Sequence, residues 1–159
     1  MGAINYGTSE YITLGVRPDR YYDEKGFDMG LYEYEAGAAR QLINRYSSEY
    51  FLLTFEWGYH EGFYLDVKDY YKYCYDLTGN GCINDYKERK EINKEITRIK
   101  ALMLKLVDMG FVACYPGWCT GYADAKETRK EINEAIKEMR REVKETPTYN
   151  QYERLKKGA

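Results

Sequence analysis

The chain has a single histidine, no apolar run near the roughly 20 residues needed to span a bilayer, and no basic start with an apolar core between Met1 and Thr13. The expectation is a soluble protein of the cytosol, with no membrane partner. The sequence also lacks a G-x-S-x-G turn that would activate Ser9, Ser47 or Ser48 as a nucleophile. His60 lies beside Glu56 and Glu61, the one His–carboxylate grouping suited to acid–base work. A lone histidine in a turn is usually just exposed, so the expectation is a protein that is not an enzyme, with no catalytic residues.

Metal chemistry is poorly supplied as well. Four cysteines occur, Cys74, Cys82, Cys114 and Cys119. A structural zinc site needs two close pairs, and the gap of seven residues between Cys74 and Cys82 is too wide for one. Buried free thiols are favoured over zinc or a Cys114–Cys119 disulfide, because a free cysteine packs as a small hydrophobe and cytosolic thiols stay reduced. The segment Asp76–Asp85 resembles part of a calcium loop, with Asp76, Thr78 and Asn80 at alternate ligand positions. The final ligand position, which calls for a bidentate acid, is occupied by Lys87. A glycine-rich turn is the better reading, and no metal or cofactor is expected.

Leu, Ile, Val and Phe are not abundant, and 19 tyrosines supply large amphipathic area instead. Residues 1–83 carry 13 acids against 7 Lys and Arg and hold 14 of the tyrosines, whereas residues 84–159 carry 13 acids against 17 Lys and Arg. An acidic, aromatic half repels phosphate and suits a basic protein surface. The segment Glu61–Val67 has the glycine and aromatic of an RNA-binding strand. Glu61 and Asp66, however, put negative charge where phosphates would pass, so no direct nucleic acid is expected.

Periodicity gives the order strand, helix, strand, strand, helix, strand, helix. The strands are expected at residues 11–16, 49–57, 63–67 and 111–115. The helices are expected at 31–45, 85–109 and 123–145, with 19–30 a loop. In the second helix Ile92, Ile96, Ile99, Met103 and Leu106 step by 4, 3, 4 and 3, one continuous stripe. This order predicts an α+β domain over residues 1–147, a ferredoxin-like split βαβ (βαββαβ) with a four-stranded antiparallel sheet and an extra C-terminal helix. It also predicts an interior first strand and a loosely held polar tail over 148–159.

Asn5–Gly15, Gly58–Asp66 and Pro116–Thr120 together resemble small accessory proteins from phages and mobile elements of Firmicutes. The resemblance implies a setting, since such proteins often block host defence machinery, as anti-CRISPR and antirestriction proteins do. The expected function is inhibition of a host defence effector through an acidic, tyrosine-rich surface that occupies a basic, nucleic-acid-binding groove. Glu56, Glu61, Asp66 and Asp69, with Glu33 and Glu35, would supply charge. Tyr59, Tyr64, Tyr70, Tyr71 and Trp118 would supply anchors. The alternatives are a small-ligand or nucleotide sponge, which needs converging arginines, and a small enzyme centred on His60.

Overall fold

A computed structural model of the protein describes residues 9–48, 50–57, 63–69, 83, 85–115 and 121–158. Strand β1 (Ser9–Gly15) leads through a 3-10 turn (Pro18–Tyr21) into two short strands, β2 (Tyr22–Asp23) and β3 (Gly26–Phe27). Helix α1 (Met29–Asn44) follows, then β4 (Phe51–Trp57) and β5 (Phe63–Asp69). Helix α2 (Tyr86–Asp108) precedes β6 (Val112–Tyr115) and β7 (Gly121–Tyr122), and the chain closes with α3 (Ala125–Glu145) and α4 (Tyr149–Gly158).

The architecture is α+β, but the expected four-stranded ferredoxin-like sheet is corrected. The main sheet has five strands in the order β4-β5-β1-β6-β7, and β2 and β3 make a separate two-stranded sheet. A fourth helix, α4, lies beyond the expected three. The physical reason is length: β2, β3 and β7 have two residues each, too few to display a period of two. The expected interior position of the first strand is observed, with β1 paired antiparallel to β5 on one side and β6 on the other. The ladder between β1 and β5 slips between Glu10 and Ile12, a bulge-like irregularity.

Three helices begin on aspartate caps whose carboxylates accept from a backbone amide three residues on. Asp28 accepts from Leu31, Asp85 from Glu88 and Asp124 from Glu127, at 3.0, 2.8 and 2.7 Å. The α2 stripe read from the sequence is buried, and Leu102 and Val107 join it. Burying seven apolar side chains at about 1.5–3 kcal/mol each is what holds so charged a helix in place. Helix α3 packs along α2 and reaches β1 and β6. Its buried Thr128 hydroxyl accepts the Ala113 amide of β6 at 2.8 Å, joining helix to sheet where apolar packing alone would leave an orphan donor.

The segment over 148–159 is polar but not loosely held. Residues 149–158 are helical, and the segment before them is tied down. Ile83 and Thr148 form a parallel bridge, the Ile83 amide donates to the Pro147 carbonyl at 2.9 Å, and the Tyr149 amide donates to the Ile83 carbonyl at 2.7 Å. No helix among the described residues is long and apolar enough to cross a membrane.

Candidate functional site

Four of the nine residues expected to form the partner surface fall on the β4–β5 ladder, at an edge of the main sheet. Glu56 stands directly opposite Tyr64. Asp66 stands opposite Thr54 on one side and Thr13 on the other, and Asp69 is opposite Phe51 and Ser9. The register therefore gathers three carboxylate residues and a tyrosine on two neighbouring strands. Tyr59, Glu61, Tyr70, Tyr71 and Trp118 lie outside the described residues, as do His60, Cys74, Cys82 and Cys119.

Most of the Asp76–Asp85 loop also lies outside them, but Asp85 has a structural task as the cap of α2. Cys114 is buried in β6, its sulfur 3.9 Å from the Thr13 carbonyl oxygen. Among the described residues no group of three or more His, Cys, Asp or Glu side chains is arranged to hold a metal.

A second locus, unforeseen in the sequence, is a cleft of about 240 Å³ between the 3-10 turn, α1 and the end of α2. Val16, Ala36, Ala38, Met109 and Phe111 give it apolar walls, and Arg20, Tyr21, Tyr34 and Glu35 give it polar groups. Those polar groups are largely committed to one another. The Tyr21 hydroxyl donates to Glu35 Oε2 at 2.7 Å, and Arg20 Nη2 donates to Glu35 Oε1 at 3.3 Å. Arg20 Nη1 donates to the Met109 carbonyl at 3.0 Å. Burial and the Glu35 carboxylate both push the Tyr21 phenol well above its ordinary range, so it is a fixed donor at neutral pH. Glu35 is thus paired with Arg20 and Tyr21, whereas Glu33 is exposed.

Arg20 reaches Met109 because residue 110 is glycine. Gly110 ends α2 with φ of +100°, and a Cβ there would lie 1.6 Å from Arg20 Nη1. Beneath the cleft the Tyr21 ring packs edge-on against Tyr32 at 4.8 Å, and Phe27 packs on Tyr32 at 5.2 Å and on Tyr22 at 5.0 Å. Part of the tyrosine excess is therefore structural.

The pairing of residue 20 with residue 109 has no sequence signal, since nothing local links positions 89 apart. Leu31 and Tyr34 were the legible clue. They are large side chains off the buried stripe of α1, which runs through Tyr32, Ala36, Ala39 and Ile43. No family model, curated protein or solved structure matches the chain.

Proposed function

We propose that the protein is a non-enzymatic binding protein, encoded by a phage or mobile element, that inhibits a host defence effector in the bacterial cytosol. It does so by presenting an acidic, tyrosine-bearing surface to a basic, nucleic-acid-binding groove. The observation that carries this reading is the β4–β5 register, which places Glu56, Tyr64 and Asp66 on one face of the ladder at the sheet edge, within the acidic half of the chain, with Asp69 at a position of opposite alternation. Carboxylates spaced along paired strands compete with phosphates for the same cations, while aromatic side chains supply anchor energy. The sponge reading has less support, because phosphate capture calls for several converging cations. Among the described residues the one cation lining the cleft, Arg20, is already held by Glu35 and the Met109 carbonyl.

The test is affinity capture from a bacterial lysate, followed by a competition assay on the purified captured effector. The reading requires the protein to displace nucleic acid from that effector at near-stoichiometric concentration. Simultaneous binding of protein and nucleic acid, with the effector's activity intact, would refute it.

A further inference from the structure

The described residues expose six large apolar or aromatic side chains, and four of them, Tyr22, Met29, Leu31 and Tyr34, fall within one short stretch. Tyr34 is 78% exposed, an unusual position for a ring that also walls a cleft. Leu31, Tyr34 and Ala38 step by 3 and 4 along α1 and so share one face of it. All three are exposed, and the last two lead into the cleft. Helix α1 therefore carries a second apolar stripe beside its buried one.

Around this stripe the charge is one-sided. Residues 17–35 hold six acids (Asp19, Asp23, Glu24, Asp28, Glu33 and Glu35) against Arg17, Arg20 and Lys25. Arg17 lies 3.9 Å from Asp19, Arg20 holds Glu35 and Asp28 caps α1, while Asp23, Glu24 and Glu33 are exposed. At about 240 Å³ the cleft falls below the roughly 300–1,000 Å³ of small-molecule pockets. That size suits one bulky side chain. A largely apolar pocket within an acidic stretch of the chain suits a protein–protein anchor point.

We infer that the cleft between α1 and the Met109–Phe111 segment is an anchor pocket for one bulky apolar side chain of a basic protein partner, with the acids of residues 19–35 steering that partner in. The inference rests on the reading that the protein engages a basic partner, and it adds a second contact surface besides the β4–β5 edge. The partner's cations meet the exposed carboxylates, and its apolar residue displaces water from Val16, Ala38, Met109 and Phe111 beside the Tyr34 ring.

The experiment titrates the isotope-labelled full chain with two short synthetic Lys/Arg-rich peptides, identical except for a central tryptophan or alanine. The tryptophan peptide is expected to bind roughly tenfold more tightly. Its amide shift changes should centre on Val16, Leu31–Ala38 and Met109–Phe111. Ala38→Phe, at an exposed position, fills the cleft, and Tyr34→Ala removes a wall. Each should erase the preference for tryptophan while the folded spectrum persists and both peptides retain salt-sensitive binding.

Equal affinity of the two peptides for the unaltered chain, or an undiminished preference in both variants, overturns the inference. Shift changes gathered on Phe51–Trp57 and Phe63–Asp69 also overturn it, while leaving the acidic-surface reading intact. That reading falls separately, on the effector competition assay.

Discussion

The Tyr21–Glu35–Arg20 group shows how a single carboxylate organises two distant segments. Tyr21 is only 3% exposed, and its hydroxyl donates to a carboxylate, so the neutral phenol is strongly favoured in the folded chain. A folded-state pKa raised above the unfolded value near 10 contributes stability that is fully present below about pH 10 and is lost as pH rises toward the folded value. Spectrophotometric titration should therefore show a late-ionising tyrosine component, part of which Tyr21→Phe should remove. At neutral pH the same substitution should cost about 1 kcal/mol in a denaturant melt, the scale of one hydrogen bond. An unchanged titration curve in Tyr21→Phe would show that the phenol is not held as described.

Gly110 makes the complementary prediction. Gly110→Ala places a methyl group on the Arg20 guanidinium and forces a residue with a side chain into a positive-φ conformation. The expected loss is about 1–3 kcal/mol, and pairing it with Arg20→Ala should recover only the part due to the clash. Full recovery in the double variant would mean that the backbone conformation costs nothing. At this scale the sequence was legible in part. Gly110 could be read as a helix stop from its position after the last apolar step, but the guanidinium above it could not, because only the fold brings residue 20 to the end of α2.

Legibility at the scale of elements followed period and length. The α2 stripe is long enough to declare itself, and the buried residues match the spacing read from the sequence. The hairpin of β2 and β3 falls in residues 19–30, which read as loop because polar residues and glycines dominate there. Its stability comes from Phe27 and Tyr22 stacking beside Tyr21 and Tyr32, a tertiary cause. Helix α4 is illegible for a related reason, since α3 ends at Thr146-Pro147 and the ten residues beyond are few and mostly polar, too short a window for a period to declare itself.

The helix starts rest on a local rule that is directly testable. Asp124 caps α3 through the Glu127 amide, and Glu127 adds acid to the first turn, where the helix dipole favours it. Asp124→Ala should destabilise the protein by about 1 kcal/mol, whereas Asp124→Asn, whose side-chain oxygen still accepts the Glu127 amide, should keep most of that stability. A chemical melt of the two variants decides it. Equal destabilisation by alanine and asparagine would assign the effect to charge alone.

For the whole molecule the governing feature is the uneven charge, a balance of −6 over residues 1–83 and +4 over 84–159 within a net of −2. The candidate surfaces, the β4–β5 edge and the stretch 19–35, both lie in the acidic part, and no residue of the basic helices α2 and α3 was expected to bind. Composition made this division legible, but the five-stranded order that brings β4 to an edge came only with the fold. Long-range fields act mainly on encounter, whereas buried aromatic contacts act mainly on dissociation. Reversing Glu56, Glu61 and Asp66 together should therefore slow association with the captured effector by at least about tenfold at low salt, and by less as salt screens the field. Truncating Tyr64 to alanine should instead speed dissociation with little change in association. Surface-based kinetics at low and physiological salt, on variants first shown to be folded, separates the two effects. If the charge-reversed protein associates at the unaltered rate, the β4–β5 edge is not the steering surface. The same reversal at Asp23, Glu24 and Glu33 then decides whether the approach is guided from the α1 side.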